Sequence, residues 1–449
     1  MVAAEVAAGR LLADRVGEET IDPTLDRIQS LLRSLGDPQT AFPVVMIAGT
    51  NGKTTTSRVI EQLLLAAGLR TGLFTSPHLH AVTERIRIDG SAIEGERFIA
   101  LHAEVAPIAE LVDADGGRRL SMFEMLTALA YAAFADAPVD VAVMEIGMGG
   151  RWDAVNAADA TVAVICPIGL DHMHVLGDTV EQIAGEKAGI IAPGCAVVSA
   201  AQQPGARAVI SERAAAQQAD VWWDGEQFDL RNRRPGVAGQ LLDMRIGTRR
   251  YADVPVPLLG AHQAQNTVVG CAAVTRLIGD AQPISRETLL TGLAGLTSPG
   301  RMQVLARQPT ILADAAHNPA GIVATLAAVT ESFAPVPLVC VLAVMRDKDA
   351  AGMLTALGAA DAFVIATEIP AGPPGTLGAT RADRGLPAAD LAAAALIALG
   401  PHRCQAEPDL AAALTAARTR LAGQPGGLIL VTGSIALIAA AEAILGGAG

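Results

Sequence analysis

The chain has 449 residues, enough for two or three domains at about 150 residues each. Its 33 basic and 46 acidic residues give a formal charge of −13, so it lacks the basic footprint that a non-specific nucleic-acid binder needs. With 51% hydrophobic and 18% charged residues, general disorder is excluded. Local loops of an acidic chain can still bind anionic ligands.

The apolar tail from Leu428 to Leu445 is interrupted by Thr432-Gly433-Ser434 and Glu442. This predicts a buried strand, a turn and a closing helix, and it disfavours a membrane span. The N-terminus shows no apolar signal core after a basic start. The five cysteines are odd in number and form no C-x-x-C pair. We therefore expect a cytoplasmic protein whose cysteines are reduced core residues, with neither a disulfide framework nor a zinc site.

Short apolar runs alternate with longer amphipathic ones, which predicts a parallel sheet covered by helices. In chain order we predict a helix at Leu25–Leu35, a strand at Val44–Ile47, a helix at Arg58–Leu69, strands at Val139–Ile146, Ala160–Ile165 and Ala196–Ser199, a β-hairpin excursion at Val221–Val256 and a helix at Gln263–Leu277. Ser298-Pro299-Gly300 reads as a hinge. Beyond it we predict strands at Thr310–Ala313, Leu338–Leu342, Ala362–Ala366 and Gly427–Val431, and a helix at Ala388–Leu399.

The strongest local motif lies between the first strand and its helix, where the sequence reads Gly49-Thr50-Asn51-Gly52-Lys53-Thr54-Thr55. Glycines let backbone N–H groups turn toward phosphate oxygens, and the helix N-terminus adds a favourable dipole. Lys53 can reach β and γ phosphates, and the Thr54 hydroxyl suits phosphate or magnesium. Ile47 occupies the place of the first glycine in the general P-loop pattern. A glycine-rich turn without a ligand is the alternative interpretation.

These patterns predict an α/β fold. A P-loop parallel-sheet ATPase domain at residues 1–297 is followed by a smaller Rossmann-like α/β domain at residues 298–449.

Three further side chains are candidates for metal chemistry. Glu145 ends an apolar strand, where a carboxylate faces the crevice that binds ligands in such sheets. One carboxylate together with phosphate oxygens can hold magnesium, which keeps several waters. His172 is an unusual magnesium ligand and could be a loop or core histidine, while Lys187, expected at a helix start, could be a surface lysine. Glu145 could instead cap a helix.

A series of motifs in the same order resembles the folylpolyglutamate synthases, whose bacterial members often also act as dihydrofolate synthases and which belong with the Mur ligases. The resemblance covers about Ile21 to Ser434. It rests on the loop at 49–55 and on Thr75-Ser76-Pro77-His78-Leu79, Glu84-Arg85-Ile86-Arg87, Glu145-Ile146-Gly147-Met148-Gly149-Gly150-Arg151, Gly169-Leu170-Asp171-His172, Gly185-Glu186-Lys187-Ala188-Gly189-Ile190, Ser298-Pro299-Gly300-Arg301 and Ala316-His317-Asn318-Pro319.

The resemblance implies roles for individual residues. The ATP contacts would be Thr50, Asn51, Gly52, Lys53, Thr54, Asn266, Arg301 and Asp314. Two magnesium sites would use Ser76, Glu145, His172 and Lys187, the lysine as a carbamate. Lys53, Glu145, His172 and Lys187 would be the catalytic set. A pterin site would use Ile21, Asp22, Pro23, Ser121, Met122, Phe123, Glu124, Trp152, Asp153 and Ala154, and His317 would serve glutamate binding and domain closure. Trp152 could stack on a pterin or pack in the core.

The implied reaction is ATP-dependent addition of L-glutamate to folates, and to 7,8-dihydropteroate, through an acyl phosphate. The implied cofactors are ATP and Mg²⁺, with a monovalent cation left open. We expect a monomer with small-molecule substrates and with neither nucleic-acid nor membrane partners. Three alternatives remain: a monofunctional folylpolyglutamate synthase, a Mur-type ligase acting on a cell-wall precursor, and a P-loop binding or regulatory protein. A Rossmann oxidoreductase is disfavoured because no G-x-G-x-x-G follows the first strand.

Overall fold

The computed structural model describes residues 3–13, 15, 17, 22–115, 118–236, 238–279, 284–334, 337–372 and 382–446. The chain divides into two compact units. The first comprises Met1–Arg234, Gly239–Pro257 and His262–Thr297, and the second comprises Pro235–Ala238, Leu258–Ala261 and Ser298–Gly449.

The first unit is built on an eight-stranded sheet in the order β4-β3-β2-β5-β1-β6-β7-β8. The strands from β2 to β8 in that order are parallel, whereas β3 and β4 add two antiparallel strands beside β2. Every residue of the central strand β1 is buried, because helices cover both faces of such a sheet. The strands are β1 (Val44–Ala48), β2 (Thr71–Phe74), β3 (Ile86–Ile88), β4 (Ser91–Ala92), β5 (Val141–Glu145), β6 (Val162–Ile165), β7 (Ala196–Ser199) and β8 (Asp220–Trp223).

The helices of this unit confirm the predicted alternation. The expected helix at 25–35 is α2, with Ile28, Leu31 and Leu32 buried along one face. The helix predicted from Arg58 begins earlier, at Lys53, because the glycine loop leads directly into it. The helices are α1 (Ala3–Arg10), α2 (Asp26–Ser34), α3 (Lys53–Ala66), α4 (Gly95–Asp115), α5 (Met122–Asp136), α6 (Met173–Leu176), α7 (Val180–Lys187), α8 (Pro204–Ala216), α9 (Ala261–Ile278) and α10 (Arg286–Ala294). Short 3₁₀ helices include Pro38–Thr40, Val82–Arg85, Ala154–Ala157 and Ala188–Ile190.

The segment at 221–256 is more than the predicted hairpin. Its beginning belongs to β8, which pairs with β7 in the large sheet. The remainder forms a separate three-stranded sheet in the order β11-β10-β9, with β9 at Phe228–Gly236, β10 at Gly239–Ile246 and β11 at Arg249–Val256. In β10 the buried side chains are Gln240, Leu242, Met244 and Ile246, which is the alternation expected of a sheet with one covered face.

The second unit carries a six-stranded sheet in the order β12-β13-β17-β14-β15-β16. The four predicted strands and the alanine-rich helix are confirmed. The sequence analysis missed β12 and β16, which are edge strands and only partly buried. The strands are β12 (Gln303–Arg307), β13 (Thr310–Asp314), β14 (Leu338–Leu342), β15 (Phe363–Ala366), β16 (Cys404–Ala406) and β17 (Leu428–Thr432); the helices are α11 (Pro319–Phe333), α12 (Ala350–Ala359), α13 (Ala388–Leu399), α14 (Leu410–Arg420) and α15 (Ile435–Gly446).

The C-terminal tail is a strand, a turn and a helix, as predicted, since β17 is fully buried and α15 follows it. Across the described ranges, no helix combines the length and apolar character needed to cross a bilayer. All five cysteines are free thiols, and four of them are buried. The prediction of unpaired core cysteines is therefore confirmed for those four, while Cys404 is half-buried.

Candidate active site

The loop at 49–52 joins β1 to α3 and depends on two glycines. Gly49 and Gly52 have φ values of 152° and 90°, a backbone region that side chains disfavour. A Cβ atom on Gly49 would lie 2.5 Å from the Cβ of Cys166, and one on Gly52 would lie 2.4 Å from Oδ1 of Asn266. The loop is therefore held tightly between β6 and α9, and Asn266, predicted from the resemblance, lies against it.

Two lysines converge on this loop. The Nζ atoms of Lys53 and Lys187 donate to the carbonyl oxygen of Gly49 at 3.0 and 3.1 Å. Lys187 is 4% exposed. Burial, and then the charge of Lys53, lower the pKa of Lys187 from 10.5 to about 7. A large share of Lys187 is thus a neutral amine near neutral pH.

The expectation of an α-helix start at Lys187 is wrong, although the short 3₁₀ helix Ala188–Ile190 begins directly after this residue. Lys187 is the last residue of α7, which begins after Thr179, whose hydroxyl accepts the N–H of Gln182 in a capping box. The glycines near Lys187 act as packing contacts. A Cβ atom on Gly150 would lie 3.0 Å from the Cα of Lys187, and one on Gly189 would lie 2.6 Å from the Cα of Arg151.

The predicted carboxylate Glu145 is the last residue of β5, next to the phosphate loop. It pairs in register with Ile47 of β1 and is 1% exposed. The Thr54 hydroxyl donates to its Oε1 at 2.9 Å. This places a carboxylate and a hydroxyl at the carboxyl edge of the sheet, as predicted for Glu145, and it excludes the alternative that Glu145 caps a helix, since Glu145 lies in a strand.

Ser76 and His172 follow strands that end at the same edge. Ser76 comes two residues after β2, whose Phe74 pairs with Met144 of β5. His172 follows β6 and has a left-handed φ of 50°. The segment before it is tied to the phosphate loop, since the Thr50 hydroxyl donates to the Gly169 carbonyl at 3.0 Å and accepts the Gly169 N–H at 3.1 Å.

Thr50 and Asn51 therefore have structural partners besides any phosphate. Their N–H groups donate to the carbonyl of Pro167 at 3.0 and 3.4 Å. Within the described part of the chain, no group of three or more His, Cys, Asp or Glu side chains is placed to hold a metal ion. A magnesium site here would need hydroxyl, phosphate or carbamate oxygens beside the Glu145 carboxylate, which is the donor set that magnesium prefers.

Part of the predicted pterin set is brought together by Arg27, which the sequence analysis missed. Its Nη1 donates to Asp22 at 2.6 Å and its Nε to Glu124 at 3.1 Å. The guanidinium groups of Arg27 and Arg118 lower the pKa of the Asp22 carboxyl. Ser121 caps α5 and exchanges hydrogen bonds with Glu124. The separation of five residues between Asp22 and Arg27, across the start of α2, is the sequence feature that could have indicated this ion pair. Ile21 lies outside the described residues.

The second part of that set surrounds the loop after β5. A Cβ atom on Gly147 would lie 2.7 Å from the Phe123 ring. The Asp153 carboxylate accepts N–H groups from Met148 and Val155, both at 3.0 Å, and burial raises its pKa to about 6. Trp152 is 48% exposed, so the alternative of a core indole is wrong. Of the other predicted pterin residues, Ala154 is buried, Met122 is half-buried and Pro23 is exposed.

In the second unit, the predicted residues Asp314 and His317 flank the end of β13. The Asp314 carboxylate accepts hydrogen bonds from the N–H groups of Met302 and Ala316 and from the Thr325 hydroxyl, each at 2.9 Å. His317 contacts the Ala315 carbonyl through Nδ1 at 2.8 Å. The Asp314 carboxylate is therefore oriented by three hydrogen bonds within its own unit. The predicted Arg301 follows Ser298-Pro299-Gly300 and donates its N–H to the Ser298 carbonyl.

The turn after β17 reaches the same edge. Thr432 pairs in register with Asp314, and the Gly433 N–H donates to the Ala316 carbonyl at 3.0 Å. Ser434 is 3% exposed, and its hydroxyl has no hydrogen-bond partner among the described residues. In the sequence, Thr432-Gly433-Ser434 shows only as a break in an apolar run. Ser434 was therefore not predicted as a polar group near Asp314 and His317.

Two family models match the chain. The Mur ligase middle domain matches residues 47–274, and the Mur ligase glutamate ligase domain matches residues 300–435. The dihydrofolate synthase/folylpolyglutamate synthase of Mycobacterium tuberculosis is 39% identical over 99% of this chain and 94% of its own length. The folylpolyglutamate synthase of Lacticaseibacillus casei is 32% identical over 94% of each chain.

Solved structures of the same family are also similar to this chain. The Mycobacterium tuberculosis folylpolyglutamate synthase complexed with ADP and AMPPCP has a TM-score of 0.91 at 38% identity, over 99% of both chains. Escherichia coli FolC in complex with DHPP and ADP has a TM-score of 0.83 at 28% identity, also over 99% of both chains. The chain belongs to the dihydrofolate synthase/folylpolyglutamate synthase family of the Mur ligases.

Proposed function

We propose that this chain is an ATP-dependent ligase that adds L-glutamate to folates and to 7,8-dihydropteroate. The observation that carries the proposal is the convergence of Lys53 and Lys187 on the Gly49 carbonyl. A phosphate loop with its own lysine suits any P-loop protein. A second, buried lysine with a lowered pKa at the same oxygen suits the carbamate-bearing ligases that the sequence resembles.

For the nucleotide, the loop at 49–52 and the first turn of α3 form the phosphate site. Lys53 supplies the cation, and the α3 N-terminus supplies N–H groups and a favourable dipole. Asn266 lies against Gly52 and is the proposed adenine contact. In the second unit, Arg301 and Asp314 are proposed nucleotide contacts, and His317 is a proposed L-glutamate contact.

The residues present fit magnesium. The Thr54 hydroxyl and the Glu145 carboxylate are hydrogen-bonded to each other at 2.9 Å and are hard oxygen donors. Ser76 and His172 complete the proposed set. Bound magnesium would neutralise the charge of the transferring phosphoryl group.

Lys187 is suited to become an oxygen donor as well. Its neutral amine can attack the carbon of carbon dioxide and lose a proton to solvent, which leaves an N-bound carboxylate. At an unperturbed pKa, only about one lysine in 10³ is neutral near pH 7. With a pKa of about 7, roughly half is neutral at that pH, so burial favours the modification.

The reaction would proceed in two steps. A carboxylate oxygen of the acceptor attacks the γ-phosphorus, and ADP leaves, which gives an acyl phosphate. The α-amine of L-glutamate then attacks the acyl carbon, loses a proton, and inorganic phosphate leaves from the tetrahedral intermediate. Such phosphoryl transfer depends on positioning and on charge neutralisation, which Lys53 provides at the phosphate loop.

On the acceptor side, Arg27 joins Asp22 to the start of α5, beside Phe123 and the loop after β5. The structural neighbour bound to DHPP supports dihydropteroate as one acceptor. A monomer in the cytoplasm is part of the same proposal, and unpaired cysteines suit a reducing compartment.

A phosphate-release assay with ATP, Mg²⁺ and L-glutamate tests the function. It compares 7,8-dihydropteroate, a tetrahydrofolate and no acceptor, with product masses measured. We expect a gain of one glutamate on both acceptors. A gain on the folate alone would reduce the proposal to a monofunctional synthase. A gain on neither, with ATP still bound, would favour a Mur-type ligase with another acceptor.

A further inference from the structure

The loop that carries Ser76 is held by one carboxylate. Three consecutive N–H groups, those of Leu79, His80 and Ala81, donate to the Glu84 side chain at 2.8 Å each. Hydrogen bonds to an ionised carboxylate are about twice as strong as neutral ones. Glu84 lies in the 3₁₀ helix Val82–Arg85, which directly follows this loop. The loop end is therefore fixed to its own continuation.

The neighbouring side chain holds the middle of the loop. Arg85 is fully buried, and its Nε donates to Nδ1 of His78 at 3.0 Å. The Arg85 carbonyl also accepts the N–H of Thr75 at 3.0 Å. A buried arginine is costly unless its partners are well placed, so a shift of the loop would cost Arg85 one of its hydrogen bonds.

Glu84 and Arg85 thus fix the residues on both sides of Ser76. Thr75 is held one residue before it and His78 two residues after it. The loop leaves β2 beside β5, the strand that ends at Glu145. A hydroxyl that serves as a metal ligand needs such support, because outer partners set the orientation of the ligands themselves.

We propose that Glu84 is a positioning residue for magnesium–nucleotide binding, which it supports by holding the loop that presents the Ser76 hydroxyl. The inference rests on the proposed function, specifically on the metal role of Ser76. Arg85 acts in the same way through His78. Neither side chain touches the nucleotide or the reacting atoms in this assignment.

The test measures nucleotide binding in the absence of turnover. Calorimetry gives the ADP affinity of the full chain with excess EDTA and again with Mg²⁺. We define the magnesium gain as the affinity with Mg²⁺ divided by the affinity in EDTA. In Glu84→Gln, the amide nitrogen faces one of the N–H donors, so one hydrogen bond is replaced by a repulsive contact. We expect the magnesium gain to fall by about tenfold or more, with ADP affinity in EDTA unchanged.

Glu96→Gln is the matched control. Glu96 is exposed in the first turn of α4, and this variant should keep the full magnesium gain. Ser76→Ala should lose the gain to the same extent as Glu84→Gln. Because Glu84 acts through Ser76, the double variant should lose no more than Ser76→Ala alone.

A conservative pair covers the case in which Glu84→Gln does not fold. The carbonyl of Gln in His78→Gln can accept from Arg85, whereas Leu in His78→Leu cannot. We expect the glutamine variant to retain the magnesium gain and the leucine variant to lose it, with thermal unfolding confirming that each is folded.

An unchanged magnesium gain in folded Glu84→Gln or His78→Leu would overturn the proposal. So would a double variant in which the losses from Glu84→Gln and Ser76→Ala simply add. An unaffected Ser76→Ala would overturn it as well. In each case the ligation assay with wild-type protein decides separately whether the proposed function stands.

Discussion

Lys53 and Lys187 donate to one carbonyl oxygen, that of Gly49, although they lie 134 residues apart (187 − 53). The chain contains only three lysines, and the third is Lys348. Two amines at one oxygen cannot both carry a full charge at low cost, and burial together with the charge of Lys53 lowers the pKa of Lys187 to about 7. This arrangement suits the two separate tasks proposed for the lysines, Lys53 as a phosphate cation and Lys187 as a site of modification.

Gly52→Ala should weaken nucleotide binding much more than its backbone strain explains. The alanine Cβ at position 52 would lie 2.4 Å from Oδ1 of Asn266. Gly68 has a similar φ of 84°, but no described atom lies within 4 Å of the Cβ that alanine would add there. Gly68→Ala is thus the control for a left-handed backbone, worth about 1 kcal/mol. ADP titration checks both variants. Equal affinities in the two would contradict a tight fit of the loop against α9.

Lys53→Ala should abolish ATP turnover and product formation together. Removing a positioned charge that stabilises a phosphoryl transition state costs about 10²-fold to 10³-fold or more. Phosphate release and product mass measure the two outcomes, and thermal unfolding confirms the fold. Arg250→Ala, at an exposed cation of β11, serves as the control. Near-normal ligation by folded Lys53→Ala would remove the phosphate role of the loop.

Lys187→Ala should be inactive, and short carboxylic acids such as acetate or formate should restore part of the activity. The added acid can occupy the space left by the side chain and supply the oxygen atoms that the carbamate would provide. Lys187→Met is the control, since its side chain fills the same space and should resist rescue. Ligation is measured against acid concentration. Full activity of Lys187→Ala without any additive would exclude the carbamate.

The pKa of Lys187 also predicts a pH dependence of stability for protein free of metal and nucleotide. The pKa is about 7 in the folded state and 10.5 ordinarily, so between these values the unfolded state binds more protons. The free energy of unfolding should therefore rise with pH through this window, with a slope of at most about 1.36 kcal/mol per pH unit. Lys187→Met should flatten this rise and be more stable at pH 7. Urea unfolding from pH 7 to 10 tests this, and parallel pH profiles would contradict the burial of a neutral amine.

Trp152→Ala should leave the free energy of unfolding nearly unchanged, because the indole is 48% exposed. If the ring stacks on a pterin, the variant should lose about 1 kcal/mol of acceptor binding. The KM for dihydropteroate should then rise several-fold, while the ADP affinity stays unchanged. Steady-state kinetics and urea unfolding separate the two. A large loss of stability with unchanged KM would show that the ring only packs.

Much of this architecture could be predicted because its determinants are local. Buried parallel strands read as continuous apolar runs, as β1 and β14 do, and the glycine loop before α3 carries its own motif. The edge strands β12 and β16 were missed because partial burial weakens that pattern. Contacts between distant segments have no local pattern.

The candidate site likewise contains residues that a local sequence pattern indicates and residues that it does not. Glu145 was predicted from its place at a strand end, whereas Lys187 was expected at a helix start and lies at the end of α7. Arg27 and Ser434 were missed because their importance comes from the side chains and turns around them, which only the folded chain brings near.

The Phe123 ring packs against Gly147, which leaves no room for a Cβ atom there. The ring belongs to the proposed acceptor segment, and the glycine follows the strand that ends in Glu145. An acceptor that displaced this ring would also displace the loop after β5, and part of its binding energy would then act on the nucleotide site. By thermodynamic reciprocity, ATP must then change the acceptor's affinity by the same factor as the acceptor changes that of ATP. Acceptor preference and nucleotide affinity would therefore evolve as one property in this chain.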